Sequence, residues 1–313
     1  MERVERVQHL FIINPAAGKH MDTAGIQKEI ETAMAGRDET WEIALTKGPG
    51  DAEALSRAWS EQSREPLRIY AMGGDGTLNE VVNGVVGYDH VSVGCCPLGS
   101  GNDFIKTFGR ENWRFRDLHS LVEARPHTMD LIECNGRYAI NVCSVGFDAR
   151  IGLSMADYKR LPLVTGKGAY LISLVVTTIQ GVHRPYELEL DGEKMSGEYT
   201  LICACNGQWY GGSFHPAPEA RPDDGMLDFV LVKGVSRFTI ASLVDKFATG
   251  QGKNYPDLIR IRRGHELKVK CDRVSMVNID GERLDTDSLS FTLSAKKISF
   301  LLPEGVESVV PNT

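Results

Sequence analysis

Between residues 9 and 109 the chain alternates four short apolar runs with four helical segments, joined by turns rich in glycine, proline and asparagine, without an internal sequence repeat. The apolar runs are 9–14, 41–46, 67–72 and 91–97, and the helical segments that follow are 23–35, 51–61, 77–86 and 103–109. Short strands alternating with helices give βαβ order, in which each crossover returns the chain to its starting edge and neighbouring strands run parallel. The pattern predicts a doubly wound parallel sheet with helices on both faces, and ligands in such sheets bind beyond the carboxyl ends of the strands.

The third strand–turn–helix segment is the most specific. Leu67 to Met72 reads as a buried strand, Gly73-Gly74-Asp75-Gly76-Thr77-Leu78-Asn79-Glu80 follows, and Leu78, Val81, Val82 and Val85 recur at helical spacing. Glycines at a helix start let phosphate oxygens reach main-chain N–H groups and the positive end of the helix dipole. Asp75 would repel a phosphate unless a cation lies between them or the carboxylate accepts a proton. Neither Gly-x-x-x-x-Gly-Lys-Ser/Thr nor Gly-x-Gly-x-x-Gly sits between a strand and a helix, so the two commonest nucleotide loops do not apply.

From about His127 the grammar changes to strand after strand, at 128–134, 138–145, 186–190, 199–205, 227–232, 266–270, 274–279 and 290–293. Asn135-Gly136, Asp191-Gly192 and Asp280-Gly281 are hairpin turn pairs, and the spacing predicts an antiparallel β-sandwich interrupted by helices at 169–180 and 237–249. The expected division is a nucleotide-binding α/β domain at 1–126, a β-sandwich at 127–297, and a segment 298–313 whose apolar run returns to the first domain. The active site is expected in the cleft between them.

Composition narrows the classes. A chain of 313 residues, 42% hydrophobic, buries a sizeable core, and its formal charge of −7 argues against nucleic acid as a partner. The charged start Met1-Glu2-Arg3 and the lack of a long apolar run predict a cytoplasmic protein. The seven cysteines match neither a disulfide framework nor zinc spacing and read as small reduced core residues. The sequence leaves a homodimer open.

Four motifs in order carry a family resemblance: Asn14-Pro15-Ala16-Ala17-Gly18, Thr46-Lys47-Gly48-Pro49-Gly50-Asp51, Gly73 to Glu80, and Pro97-Leu98-Gly99-Ser100-Gly101-Asn102-Asp103-Phe104. With Asp223-Asp224-Gly225 and Asp280-Gly281-Glu282, they make the chain resemble the diacylglycerol kinase catalytic-domain family, the bacterial soluble lipid kinases related to sphingosine and ceramide kinases. The resemblance covers nearly the whole chain and implies a Rossmann-like first domain. It departs at Ala17, where the family often has Ser, and at Ser100, where it often has Thr.

By that resemblance, Asn14, Pro15, Ala16, Ala17, Gly18, Thr46, Gly73, Gly74, Asp75, Gly76, Thr77, Leu78, Asn79 and Ser100 line an ATP site. Asp75, Asp103 and Asp130 form an acidic cluster for Mg²⁺, and Arg221, Asp224 and Met226 hold a second, structural Mg²⁺. Glu282 is the general base, with Asp75 its rival. Asp191-Gly192-Glu193 repeats the tripeptide, but only Glu282 follows the Asp-Asp-Gly loop as the catalytic copy does in the family.

The implied reaction is ATP- and Mg²⁺-dependent transfer of the γ-phosphate to a lipid hydroxyl at a membrane surface, with diacylglycerol the leading acceptor. The alternatives are a kinase of a soluble acceptor resembling NAD kinases, which share the Gly-Gly-Asp-Gly turn, and a non-catalytic nucleotide-binding regulator. Residues 169–179, flanked by Lys159, Arg160 and Lys167, and the stretch Trp209-Tyr210-Gly211-Gly212 are candidate rims for the lipid.

Overall fold

The computed structural model describes residues 6–18, 21–158, 181–212 and 214–308. They form two compact units: one contains residues up to Leu131 together with those from Ala295 onward, the other runs from Ile132 to Ser294.

The first unit is a six-stranded sheet in the order β2-β1-β3-β4-β15-β5. Its strands are β1 (Gln8–Ile13), β2 (Thr40–Leu45), β3 (Leu67–Gly73), β4 (Val91–Pro97), β15 (Ile298–Leu302) and β5 (Arg125–Met129). Helices α1 (Thr23–Met34), α2 (Asp51–Gln62) and α3 (Asp75–Val85) connect the first four strands, and the short α4 (Asp103–Lys106) follows β4. The first four strands pair in parallel, with Ile13 opposite both Leu45 and Met72, and Gly73 opposite Pro97. That register brings all four motif turns to one edge of the sheet, as helical crossovers between parallel strands require. The central strands β1 and β3 are almost wholly buried, whereas β2, at the sheet edge, is largely exposed.

Strand β15 pairs in parallel with β4 and antiparallel with β5. Phe300 on β15 meets the Phe104 ring edge-on at 5.3 Å, and Phe104 packs the same way against Phe108 at 5.5 Å. Aromatic burial of this kind is why the last apolar run returns to the first sheet. The same pairing places β5 in the first unit, so the second begins at Ile132 rather than His127.

The second unit is an antiparallel, sandwich-like sheet of nine strands: β6 (Ile132–Cys134), β7 (Arg137–Ala139), β8 (Val142–Gly146), β9 (Arg184–Leu190), β10 (Glu193–Cys205), β11 (Leu227–Lys233), β12 (Ile259–Gly264), β13 (Glu266–Ile279) and β14 (Glu282–Leu293). The long strands β10 and β13 each pair with β9 over one half and with β8 over the other, which folds the sheet around a core that includes Phe229, Leu267, Val277 and Phe291. Among the described residues, α6 (Phe147–Tyr158) and α7 (Arg237–Ala248) interrupt the strands of this unit, and in the first unit a short α5 (Leu118–Val122) precedes β5.

Three departures from the sequence pattern have local causes. The run 128–134 splits between the two sheets at the buried Asp130, whose carboxylate takes a 2.6 Å bond from Lys297. The run 138–145 splits at Ile140 and Asn141, whose N–H groups donate to the Asp280 carboxylate instead of a ladder partner. Conversely, 266–270 and 274–279 are one strand with an irregularity between Lys270 and Ser275. The anticipated helix at 169–180 lies outside the described residues.

Candidate functional site

The four turns at the carboxyl edge of the first sheet are tied to one another mainly through backbone. Asn14 donates its N–H to the Met72 carbonyl (3.0 Å) and its side-chain amide to Thr77 Oγ1 (3.0 Å), while its Oδ1 accepts the Ala16 N–H (3.0 Å). The first turn, Asn14 to Gly18, is thereby fastened to β3 and α3. Pro15 and Ala16 are exposed, Ala17 is buried, and Gly18 has φ of +67° beneath the Leu98 carbonyl, a conformation that glycine adopts without strain.

Leu98 and Gly99 both donate their N–H groups to the Gly73 carbonyl, at 2.8 and 3.1 Å. Gly74 and Gly99 touch backbone to backbone, and a Cβ at Gly99 would overlap the Gly74 Cα. The side chain of Asn102, held at φ of 51°, closes the Pro97–Phe104 turn by accepting from the Gly99 N–H and donating to its carbonyl. Ser100 stands exposed at the tip. Gly74 caps α3, so Asp75, Gly76 and Thr77 form its first turn, where N–H groups lack intrahelical acceptors and the dipole is positive. Leu78 and Asn79 face inward and are buried.

Asp75 and Asp103 meet here. Asp75 Oδ1 accepts the Asp103 N–H at 2.6 Å, and a Cβ at Gly101 would lie 2.6 Å from Asp75 Oδ2 and 3.6 Å from Asp103 Oδ2. Burial, together with the neighbouring Asp103 charge, pushes the Asp75 carboxyl above the usual carboxylate range against the opposing N–H bonds from Asp103 and Asn102. Asp103 is bonded to Lys106 Nζ at 2.6 Å. Asp130 is held instead at the β5–β6 junction by Lys297, and among the described residues no three His, Cys, Asp or Glu side chains converge on a point that could hold a metal.

Thr46 follows β2, its N–H bonded to the Ile13 carbonyl at 2.9 Å. Glu80, which ends the third motif and had no role assigned from the sequence, clamps the next turn: its two carboxylate oxygens accept the N–H groups of Gly50 (2.8 Å) and Ala52 (3.0 Å). An acid six positions beyond Gly74 on a helix facing another helix start was the available signal. Beside Gly18, a cavity of about 290 Å³ opens between α1 and Leu98, edged by Arg116, which pairs with Glu29 at 2.8 Å.

In the second unit the hairpin tips take the expected form, with Asn135, Asp191 and Asp280 at φ of 48°, 46° and 50°, each followed by a positive-φ glycine. The β13–β14 tip is anchored more firmly than a turn requires. The Asp280 carboxylate accepts the N–H groups of Ile140 (2.7 Å), Asn141 (3.2 Å) and Val142 (2.7 Å), and the Gly281 N–H donates to Asn278 Oδ1. Glu282, the next residue, is exposed at the start of β14. Glu193, the second copy of the tripeptide, pairs with Arg262 at 2.7 Å. Nothing in the Asp-Gly pair signalled Asp280's long-range role.

The Arg221–Met226 loop turns through Gly225 at φ of 75°, and Asp224 Oδ1 accepts the Met226 N–H at 3.1 Å. Asp224 Oδ2 is ion-paired with Arg263, which also approaches Asp228 at 3.8 Å, and Arg221 approaches Asp223 at 3.6 Å. Burial pushes the Asp228 carboxyl up to about 6 in spite of Arg263. The Trp209 stretch is packed: Trp209 stacks on His215 at 3.8 Å between centroids.

Comparison with known proteins agrees with this architecture. Residues 8–134 match the family described as diacylglycerol kinase catalytic domain, and residues 141–302 match the YegS C-terminal NAD kinase beta sandwich-like domain. A Staphylococcus aureus (strain Mu3) protein named "Putative lipid kinase" is 29% identical over 260 residues, spanning 81% of this chain and 84% of its own. Two Bacillus anthracis str. Sterne structures titled as diacylglycerol kinases share the fold, with TM-scores of 0.71 and 0.72 at 21% and 24% identity; they cover 97% of this chain and 98% and 99% of their own. With both domains matched in order over nearly its whole length, the chain belongs to the diacylglycerol kinase-like lipid kinase family.

Proposed function

We propose that the protein transfers the γ-phosphate of ATP to the hydroxyl of a lipid, with Mg²⁺ as the counter-ion and diacylglycerol as the acceptor, giving phosphatidic acid. The observation that carries this reading is the assembly of four backbone-rich turns on one sheet edge around the Asp75–Asp103 pair. Phosphoryl transfer asks mainly for phosphate cradling, neutralisation and an aligned nucleophile. The first turn of α3 and the Asn14–Gly18 turn supply N–H groups for the phosphates, and Thr46, Thr77 and Ser100 supply hydroxyls. The cavity beside Gly18 is open to the nucleoside.

The carboxylates suit a hard divalent ion, which binds oxygen donors. Asp75 and Asp103 would hold it at the phosphates, where it supplies charge neutralisation. Asp224, with the main chain of Arg221 and Met226, would hold a second ion, and Arg263 and Lys106 are the cations that now neutralise Asp224 and Asp103. Glu282, exposed at the tip anchored by Asp280, is the base that takes the proton of the attacking hydroxyl. The acceptor would be taken at a membrane surface; among the described residues no helix is long and apolar enough to cross one.

The test is transfer of labelled γ-phosphate from ATP with Mg²⁺ onto diacylglycerol, sphingosine, ceramide and phosphatidylglycerol in mixed micelles, and onto NAD. Label in phosphatidic acid supports the reading. Label in NAD alone would overturn it in favour of the soluble-acceptor activity that the name of the second matched domain suggests. Glu282→Gln should retain ATP binding and lose on the order of 10²-fold in kcat; unchanged turnover removes Glu282 as the base.

A further inference from the structure

The second unit contains an arginine cluster that the phosphoryl-transfer site does not use. Arg150, in the first turn of α6, is buried to 6% exposure. Its Nε donates to the Gly146 carbonyl at 3.3 Å and its Nη2 to the Gly181 carbonyl at 2.5 Å, while its Nη1 is buried with no partner. Arg184, at the start of β9, reaches Ser275 Oγ on β13 with Nη1 at 3.4 Å, and its Nε is likewise buried and unpartnered. Arg273, exposed on the irregular stretch of β13, adds to the positive potential at Arg150. Burial, and then the charge of Arg184, brings the Arg150 guanidinium down to about 10.

The nearby carboxylates compensate this charge only in part: Asp148 supports the Arg150 guanidinium less than Arg184 and Arg273 oppose it. Asp148 Oδ2 accepts the Ser144 hydroxyl at 2.7 Å, and burial pushes its carboxyl upward, toward the neutral form. Asp272 pairs with Arg273 at 3.3 Å, and Glu198 faces His183 at 2.9 Å. A buried guanidinium with unused donors is unfavourable unless acceptors complete it, and an anion does so best because it also offsets the charge. Here two main-chain carbonyls already orient Arg150. With Arg273 paired to Asp272, Arg150 and Arg184 together still exceed what Asp148 neutralises, and their forked donors match the oxygens of a phosphate ester.

We propose that Arg150, Arg184 and Arg273 form a binding site for a phosphate group in the second unit, taken either from a phospholipid headgroup or from a soluble phosphate ester. The assignment stands independently of the nucleotide and acceptor readings. Its test is residue-specific, because phosphate also binds kinase loops. The arginine Nε–H resonances of the full chain, assigned with Arg150→Lys, Arg184→Lys and Arg273→Lys, are followed while inorganic phosphate or glycerol 3-phosphate is added. Co-sedimentation with phosphatidylcholine vesicles, with and without phosphatidic acid, is measured in parallel.

Saturable movement of the Arg150 or Arg184 resonance, weakened about tenfold by Arg273→Gln, supports the site. Movement with the soluble esters alone assigns a soluble ligand. Phosphatidic acid-dependent sedimentation that Arg184→Gln and Arg273→Gln both abolish, with their folds verified by circular dichroism, assigns a headgroup. Resonances unmoved by the soluble phosphates, together with sedimentation unchanged in both variants, overturn the proposal.

Discussion

Replacing Asp280 with alanine tests how the hairpin bearing Glu282 is held. The carboxylate accepts three main-chain N–H bonds, at 2.7, 3.2 and 2.7 Å, from residues whose exposure is 1% (Ile140), 7% (Asn141) and 1% (Val142). Each hydrogen bond to a charged acceptor contributes about 1.5–3 kcal/mol net, and a buried N–H left without a partner costs about 1–3 kcal/mol. The three share one acceptor and do not add fully, so Asp280→Ala should destabilise the second unit by about 3–6 kcal/mol. Against a typical total of about 5–15 kcal/mol, that is a large share. With a urea slope of about 2 kcal/mol/M, the midpoint of that unit's transition, read from Trp209 fluorescence, should fall by roughly 1.5–3 M. Asp280→Asn keeps one acceptor oxygen but turns an amide donor toward the N–H groups, and should recover less than half of the loss. A midpoint for Asp280→Ala within roughly 0.3 M of the parent would refute the claim that this carboxylate locks the hairpin.

Gly99→Ala should weaken ATP binding about tenfold or more, because its Cβ would overlap Gly74 and part the two phosphate turns; an unchanged Kd by calorimetry would show that the turns do not cooperate. Glu80→Ala should release the Gly50 and Ala52 amides, raising their hydrogen-exchange rates and the KM for ATP while leaving kcat within about twofold. Equal exchange in the two proteins would contradict the clamp. Asp228 has a folded pKa of about 6, above its ordinary value of 3.8, so the folded state holds this proton more tightly than the unfolded one. Its contribution therefore favours folding below pH 3.8 and is lost as pH rises to about 6, a change of about 3 kcal/mol. The stability of the parent relative to Asp228→Asn should decline by that amount over this range; a difference independent of pH would contradict the burial of the charge.

The βαβ alternation was legible because local physics writes it: apolar runs of strand length, helical periodicity and glycine turns each act within a few residues. The same locality made Gly73-Gly74-Asp75-Gly76 readable as a helix-start anion site, and the three hairpin pairs readable as turns, since positive φ is a property of the residue itself. The sequence alone thus determined the two kinds of sheet and the edge on which the motif turns lie. Only the tertiary structure decided which charges meet. Asp103 sits beside Asp75 while Asp130 is taken by Lys297, a partner 167 positions along the chain. Asp280 looked like a turn residue until it accepted N–H groups some 140 positions away, and the three arginines come from a helix and two strands. Such pairings are chosen by desolvation, which penalises a buried charge until some partner reaches it, and the identity of that partner depends on packing that no local pattern records.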